Sequence, residues 1–329
     1  MNLEEEDKLV ARIKGTLGRI PRTSSQVRLG MGDDAALFRP RAGHELILTC
    51  DWFLEGTHFL RENHPPDSAG WKCLARALSD IAAMGGTPRC FLLSLALPTS
   101  CTGRWLDQFL AGLRRASSRF HCALAGGDTT RREKILVNVT AVGEVRAGHA
   151  IRRRGARPGD LIYVSGHLGE AEWGLRQLKS GAKPATLRSP ALKKHLYTEP
   201  RLALGQWLGE KGLATAMMDL SDGLSTDLPR LCAVSGVGAR LDAASLPLVQ
   251  LPIKAQNAAV DPLRLALHGG DDYELLFTVR PKQARLLPHS FRGLPITPIG
   301  VIASKQQIVL LDDNGREQRL RPLGWDPFR

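Results

Sequence analysis

Apolar positions in the first 150 residues follow two spacings, one typical of helices and one typical of strands. Leu9, Ile13 and Leu17 recur every four residues and predict a helix over residues 4–20. The same spacing predicts helices over residues 71–82 and 105–120. Short apolar runs predict strands at residues 45–50, 89–97, 121–125 and 135–145. This alternation is typical of an α/β or α+β domain.

The pattern restarts after a polar turn, GARPGD, at residues 155–160. Strands are predicted at 161–166 and 215–218, and helices near 169–179, 200–212 and within 224–235. Pro229 is expected to kink the last helix or to delay its start, because proline lacks the N–H that a helix interior needs. We therefore expect two domains, residues 1–150 and 151–329.

Composition supports a globular protein with more than one core. The 329 residues exceed what one core usually supports, and 43% apolar with 24% charged residues is ordinary for a folded chain. The longest apolar run, residues 90–97, is far shorter than the roughly 20 residues of a membrane helix. The acidic, amphipathic N-terminus does not resemble a secretion signal. We expect a cytoplasmic protein without a membrane partner.

The six cysteines lie far apart, and no pair has the C-x-x-C spacing of a zinc or redox site. The net charge of +12 fits nucleic acid, an acidic membrane surface or a polyphosphate substrate equally well. Basic residues are dispersed and only 5% of residues are aromatic, which disfavours a surface that stacks bases. A nucleic-acid-binding protein is therefore the alternative class, and no nucleic-acid partner is expected.

Aspartates recur where predicted apolar elements end. Each one alone has an ordinary explanation as a turn residue or a helix cap. Asp80 is harder to explain, because the macrodipole disfavours a carboxylate near the end of a helix and its apolar neighbours predict burial. Converging carboxylates repel one another unless divalent cations neutralise them, and oxygen ligands select Mg²⁺ or Mn²⁺ over zinc. The series is Asp33, Asp34, Asp51, Asp80, Asp128, Asp219, Asp222, Asp271 and Asp272.

Glycine-rich turns accompany these aspartates at residues 30–32, 126–127 and 269–270. Such turns let backbone N–H groups approach phosphate oxygens closely. The chain has neither the G-x-x-x-x-G-K-[ST] motif of a P-loop nor a Rossmann G-x-G-x-x-G at a strand-to-helix turn. We therefore expect a nucleotide to be held by metal ions and loops.

Eight segments carry most of these residues, in a fixed order. They are GDDAALF (32–38), TCDWFLEGTHF (49–59), LSDIAAMGGTPR (78–89), GGDTT (126–130), RRGARPGD (153–160), MDLSDGLSTDL (218–228), GGDDYELLF (269–277) and GWDPF (324–328). Together they resemble the successive motifs of the thiamine-monophosphate kinase family.

The resemblance implies a two-domain α/β (α+β) fold like that of aminoimidazole ribonucleotide synthetase. Its N-terminal sheet domain dimerises and binds ATP and Mg²⁺ near the dimer interface, and its C-terminal α/β domain completes the active site. The implied reaction is in-line phosphoryl transfer from ATP to thiamine monophosphate, giving thiamine diphosphate. Mg²⁺ is the implied cofactor, and a homodimer the implied assembly.

The resemblance also implies roles for individual residues. Asp51, Asp128 and Asp222 are expected to act in catalysis. The implied nucleotide contacts are Gly127, Asp128, Arg153 and Ser221, and the implied contacts to thiamine phosphate are His58, Asp271 and Trp325. The implied Mg²⁺ ligands are Asp34, Thr49, Cys50, Asp51, Asp80, Asp128, Asp219 and Asp222.

Four positions depart from the family pattern. Cys50 replaces a threonine, Asp271 a glutamate, Pro327 a histidine and Ala77 an asparagine, and none of these changes removes a metal carboxylate. Other ATP-using enzymes of the superfamily are the nearest alternative. The chain lacks their markers: a Gly-Val-Gly-Thr-Lys run after the aspartate, a cysteine within residues 1–49, and a C-terminal cysteine.

Overall fold

The computed structural model describes residues 5–18, 26–181, 189–253, 255, 259–312 and 314–329. The chain divides into two compact units. The N-terminal unit comprises Met1–Ile81, Gly86–Gly148 and Leu196–Thr198. The C-terminal unit comprises Ala82–Gly85, His149–His195 and Glu199–Arg329.

The N-terminal unit contains a four-stranded sheet. Its strands are β3 (His44–Leu54), β4 (Thr87–Leu97), β5 (Ala123–Arg131) and β6 (Leu136–Arg146), in the order β3-β6-β4-β5. Neighbours are antiparallel except β4 and β5, which are parallel. A separate antiparallel pair is formed by β1 (Val27–Leu29) and β2 (Leu37–Phe38).

The described α-helices beside this sheet are α1 (Glu5–Leu17), α2 (Pro66–Ala83) and α3 (Arg104–Phe120). One face of β3 is covered by α2, because Ile47 and Phe53 are buried there and the Arg76 guanidinium lies over the Phe53 ring. The alternate side chains of β3, Leu48 and Trp52 among them, are exposed. At β3 the sheet therefore has one packed face and one apolar face open to solvent, and beyond β3 the β1–β2 pair covers Cys90 on this second face.

Two strands run further than the sequence predicts. Strand β3 was predicted to end at residue 50, but it pairs with β6 as far as Leu54, so Asp51 lies inside the strand. Strand β5 was predicted to end at residue 125, but its pairing with β4 continues to Arg131. The cross-strand ladder extends both strands through polar residues, and local periodicity carries no signal for that.

The C-terminal unit contains an eight-stranded sheet. Its main path has the order β14-β13-β9-β12-β7-β10-β8, and β11 pairs with β12. Among the described strands of this sheet, only β13 and β9 pair in parallel. The strands are β7 (Leu161–Ser165), β8 (Ala214–Asp219), β9 (Gly238–Asp242), β10 (Leu275–Val279), β11 (Ser290–Phe291), β12 (Leu294–Ala303), β13 (Ile308–Leu311) and β14 (Glu317–Arg319).

Both faces of this sheet are buried. Ile162 and Val164 pack with Leu228 of one helix, whereas Tyr163, between them in sequence, packs with Leu208 of another helix on the opposite face. The described helices here are α4 (Glu170–Lys179), α5 (Pro190–Leu196), α6 (Leu202–Glu210), α7 (Leu224–Ser235), α8 (Pro262–His268) and α9 (Pro281–Ala284).

Helix α7 begins at Leu224 and continues through Pro229, so the later start considered from the sequence was wrong. Its N-terminal residues are buried, and this packing supports the helix despite the missing backbone N–H. No helix in the described part of the chain is long and apolar enough to cross a membrane.

Candidate functional site

Three candidate oxygen ligands share the packed face of the N-terminal sheet. Thr49 and Asp51 alternate with the buried Ile47 and Phe53 and therefore point to that face. The Thr49 hydroxyl donates a hydrogen bond to the Asp80 carboxylate, which lies near the end of α2. Asp80 is half-buried rather than buried as predicted.

Cys50 lies between Thr49 and Asp51 in sequence but points to the opposite face. Its Sγ lies 3.2 Å from Asn138 Nδ2 and 3.7 Å from Thr140 Oγ1, both on β6. The thiol is therefore on the other side of the strand from the two oxygen ligands, and only the Cys50 backbone can share a site with them.

Asp128 also lies on the open face, at the edge of the sheet. Asp128 on β5 pairs with Ser94 on β4, and Ser94 pairs with Asn138 on β6. Asp51 on β3 pairs with Val139, which follows Asn138 on β6. Neighbours along a strand point to opposite faces, so the Asp51 and Asp128 side chains do too. Three strand spacings separate them, about 14 Å. The register keeps these two carboxylates apart within one chain.

Gly127 precedes Asp128 and approaches the neighbouring strand closely. A Cβ added there would lie 1.9 Å from the Leu93 carbonyl oxygen. Only glycine fits this contact, so strand packing accounts for the residue whether or not a phosphate approaches it.

Asp34 and His58 occupy loops of the N-terminal unit. Asp34 is exposed in the loop between β1 and β2, where its N–H bonds to the Asp33 side chain. His58 is half-buried, and its Nδ1 accepts the Leu54 N–H at 3.0 Å. This bond requires an unprotonated Nδ1, which leaves Nε2 to carry the proton of the neutral ring.

A divalent cation fits the chemistry of these donors. No group of three or more His, Cys, Asp or Glu side chains within the described residues is arranged to hold a metal by itself. Thr49 and Asp80 nevertheless bring two oxygen donors together, and Asp51 shares their face. Mg²⁺ usually binds one or two carboxylates and completes its shell with water and substrate phosphates. The donors therefore fit Mg²⁺ that arrives with a nucleotide.

In the C-terminal unit, the loop between β8 and α7 carries three candidate residues. Asp219 is the buried last residue of β8, and Ser221 and Asp222 follow it. The N–H groups of Ser221 and Asp222 both donate to Oδ2 of Asp227, at 3.0 and 2.9 Å. Arg230 donates to Asp227 at 2.8 Å and to the Asp222 carboxylate at 2.5 Å. One buried carboxylate thus shapes the loop.

Asp227 was not singled out from the sequence, where it reads as an ordinary residue of the helix. Burial raises its pKa to about 6, although the backbone N–H groups and Arg230 act in the opposite direction. The available signal was a charged residue among buried positions of an apolar helix.

Two backbone hydrogen bonds bring distant candidates together. The Ser221 carbonyl accepts the Asp271 N–H at 2.8 Å, and the Asp222 carbonyl accepts the Trp325 N–H at 2.9 Å. The Trp325 side chain is 48% exposed, so it is available to a ligand. Candidates from three separate motifs therefore meet at one loop.

Asp271 lies in a strained segment with two close partners. It has a φ of +67° and Tyr273 a φ of +49°, which is unfavourable for residues other than glycine. The Tyr273 hydroxyl donates to Asp271 Oδ1 at 3.0 Å, and Nδ1 of the buried His195 lies 4.0 Å from Oδ2. Such strain persists only where the surrounding structure imposes it, and it is frequent at functional sites.

Glu274 anchors a buried cluster that the sequence interpretation missed. Its carboxylate is fully buried and accepts hydrogen bonds from Lys194, from Arg201 and from the Ser165 hydroxyl. Burial alone would raise the pKa of Glu274, but the two cations hold it at about 2. The available signal was a carboxylate directly before the apolar run of residues 275–277.

Asp272 is a second buried carboxylate in the same motif. It accepts the N–H groups of Gly169 and Ala171, at 2.6 and 2.9 Å, at the start of α4. Burial raises its pKa to about 7, against the opposing effect of Lys194 and the two N–H groups. Asp272 therefore supports the segment next to Asp271.

Arg153 lies in the turn that precedes β7. Its side chain is exposed, and its carbonyl accepts the Ser235 hydroxyl at 3.3 Å, while the Gly155 N–H donates to Ser235 Oγ at 3.2 Å. The turn is thereby attached to the C-terminal end of α7.

Comparisons with known proteins found similar chains and similar folds. The family model of the AIR synthase related protein, N-terminal domain, matches residues 32–145, and that of the C-terminal domain matches residues 157–313. The thiamine-monophosphate kinase of Escherichia coli (strain K12) is 36% identical over 98% of each chain.

Two solved structures are similar along nearly the whole chain. The thiamine-monophosphate kinase of Stenotrophomonas maltophilia K279a has a TM-score of 0.82 at 38% identity, covering 95% of this chain and 98% of that one. A structure named AaThiL complexed with AMPPCP and TMP has a TM-score of 0.78 at 32% identity, covering 100% and 99%. These findings confirm the two-domain fold expected from the motifs, and the chain belongs to the thiamine-monophosphate kinase family of AIR synthase related proteins.

Proposed function

We propose that the protein transfers the γ-phosphoryl group of ATP to the phosphate of thiamine monophosphate, giving thiamine diphosphate and ADP. The observation that carries the proposal is the loop at Ser221 and Asp222, where candidate nucleotide and metal residues are bonded to Asp271 and Trp325. The AaThiL complex with AMPPCP and TMP, an overall structural match to this chain, supports the same pair of substrates.

The reaction needs positioning more than a base. A phosphate monoester has a second pKa of about 6 and is already ionised at neutral pH, so no side chain has to remove a proton from the acceptor. Bound Mg²⁺ would supply the charge neutralisation that two anionic phosphates need in order to approach each other. Thr49, Asp51 and Asp80 would hold it in the N-terminal unit, and Asp219 and Asp222 in the C-terminal unit. Asp34 and Asp128 are further proposed ligands.

The remaining candidates bind and orient the two substrates. Arg153 and the N–H groups near Gly127 and Ser221 would contact nucleotide phosphates, because oriented N–H groups and guanidinium groups stabilise anions. Trp325 would contact the cationic thiazolium of thiamine through its exposed ring, with His58 and Asp271 as further contacts.

The open face of the N-terminal sheet supports a homodimer. Leu46, Leu48 and Trp52 of β3 and Leu92 of β4 are all exposed on this face. A cluster of large apolar side chains on one sheet face is typical of an association surface. We propose that two copies pair through it, which places Asp128 at the interface because it shares this face.

The test is direct. The purified protein is incubated with Mg-ATP and thiamine monophosphate, and products are separated by chromatography. We expect thiamine diphosphate and ADP in equal amounts, and neither product when EDTA removes the metal. ADP without thiamine diphosphate would instead indicate another ATP-using activity of the superfamily.

A further inference from the structure

The C-terminal residues form a closed turn. The Arg329 guanidinium donates to the Pro322 carbonyl at 3.1 Å and to the Asp326 carboxylate at 3.0 Å. The Phe328 N–H donates to the same carboxylate at 3.0 Å. The chain end is therefore folded back on itself, and the residues between Pro322 and Asp326 have a defined conformation.

Three consecutive N–H groups of this turn attach to the start of α7. Leu323 donates to Ser225 Oγ at 3.3 Å, Gly324 to Thr226 Oγ1 at 3.1 Å and Trp325 to the Asp222 carbonyl at 2.9 Å. Both hydroxyl acceptors belong to buried side chains. We call Leu323–Trp325 the C-terminal clamp.

The C-terminal clamp lies directly against the residues at the start of α7, with no space for a side chain at Gly324. A Cβ added at Gly324 would lie 2.0 Å from the Asp222 carbonyl oxygen and 2.6 Å from Thr226 Oγ1. Real Cβ atoms do not approach other atoms this closely, so any larger residue at position 324 must push the clamp away from Asp222.

Asp222 is thereby held from both ends of its backbone. Asp227 accepts its N–H, and the clamp donates to its carbonyl. These two bonds fix the peptide planes on either side of the Asp222 Cα and so set the direction of its Cα–Cβ bond, while Arg230 contacts the carboxylate itself at 2.5 Å. A ligand residue held this way is pre-organised, and such outer contacts commonly change metal affinity 10- to 100-fold when lost.

We propose that the C-terminal clamp is a positioning element for Asp222. The inference rests on the proposed function, in which Asp222 binds Mg²⁺ with ATP and Trp325 binds thiamine phosphate. One short segment then has two separable roles. Its backbone orients a metal ligand, and the indole of Trp325 contacts the second substrate.

The test separates the backbone role from the side-chain role. Binding of Mn²⁺ together with the non-hydrolysable analogue AMPPCP is followed by the enhancement of water-proton relaxation that the protein causes over Mn²⁺–AMPPCP alone, and thiamine monophosphate binding by calorimetry. We expect Gly324→Ala to weaken Mn²⁺ binding about 10-fold. Trp325→Ala keeps the backbone N–H, so it should weaken thiamine monophosphate binding and leave Mn²⁺ binding unchanged.

A second variant guards against misfolding. Thr226→Val removes the acceptor of the Gly324 N–H while keeping the side-chain shape, and it should weaken Mn²⁺ binding in the same direction. Gly15→Ala is the control, because Gly15 has the helical backbone of α1 and a Cβ there has no atom within 4 Å. Wild-type Mn²⁺ affinity in folded Gly324→Ala, or in Thr226→Val if the first variant unfolds, would overturn the proposal.

The failure of the two proposals can be told apart. If the wild-type protein binds Mn²⁺ with AMPPCP but forms no thiamine diphosphate, the proposed function fails while the clamp is still tested by its effect on Mn²⁺ binding. If the wild-type protein binds no Mn²⁺ with AMPPCP, both are overturned.

Discussion

The backbone carbonyl of Ser221 accepts a 2.8 Å hydrogen bond from the N–H of Asp271, which joins the loop before α7 to the segment before β10. The bond uses only backbone atoms, so changing either side chain leaves it in place. Substitutions of the Ser221 or Asp271 side chain therefore keep this link, whereas a substitution of Asp227 removes the carboxylate that shapes the loop.

Asp51→Asn is expected to nearly abolish turnover while leaving the fold intact. The amide keeps the shape of the half-buried side chain but lacks the charge that holds a divalent cation. Steady-state kinetics with circular dichroism checks this. Wild-type turnover at saturating Mg²⁺ would remove Asp51 from the metal site.

Asp128→Asn is expected to lower turnover in a way that high Mg²⁺ partly restores. The side chain is exposed at the edge of the sheet, so its loss should cost metal affinity rather than stability. The measurement is a Mg²⁺ titration of activity beside a melting curve. A variant that simply unfolds would show that the residue serves the Gly-Gly-Asp segment structurally.

Trp325→Ala is expected to raise the KM for thiamine monophosphate roughly 2- to 30-fold, the range of a desolvated cation–π contact of about 0.5–2 kcal/mol. The KM for ATP should change little. The ring is half exposed, so the melting temperature should also stay the same. Equal losses for both substrates with a lowered melting temperature would mean that the indole only packs the tail.

Leu48→Glu is expected to convert the proposed dimer into a monomer. Its side chain is 67% exposed on the open face of the sheet, and a two-fold interface would bury two new charges there. Light scattering after gel filtration should give the 35.9 kDa mass of one chain instead of twice that value. Leu286→Glu, at an exposed leucine of the C-terminal unit, is the control. A wild-type protein that is already monomeric would contradict the dimer.

Glu274→Gln is expected to reduce the loss of folding stability that occurs as the pH is lowered. The pKa of Glu274 is about 2 in the fold and near 4.3 unfolded, so its stabilisation is complete above about pH 4.3 and is lost as pH falls toward 2. The loss is on the order of 3 kcal/mol. The melting temperature should fall more steeply between pH 6 and pH 3 for the wild-type protein than for the variant.

At neutral pH the same variant should be less stable than wild type, because Lys194 and Arg201 lose their buried counter-charge. Glu317→Gln, at an exposed residue of β14, is the matched control. Parallel pH curves for wild type and Glu274→Gln would contradict the assigned charge state.

Several features of this protein were predictable from sequence because their signals are local. The apolar spacing over residues 105–120 matches α3, Arg104–Phe120, since a helix that packs on a sheet must repeat its buried face every 3.6 residues. The eight motifs and their order likewise predicted the family and the fold, because each motif can be identified from its own residues without knowledge of the tertiary structure.

Contacts between distant parts of the chain were decided only by the tertiary structure. Strand register, which depends on pairing partners, places Asp51 and Asp128 on opposite faces. Asp227 and Glu274 look like ordinary acidic residues in the sequence. In the structure, the buried Asp227 carboxylate binds the loop before α7, and the buried Glu274 carboxylate binds Arg201 in a charge cluster. The bond from Trp325 to Asp222 uses backbone atoms that every residue carries, so no residue type marks it; only the folding of the chain end onto α7 creates it.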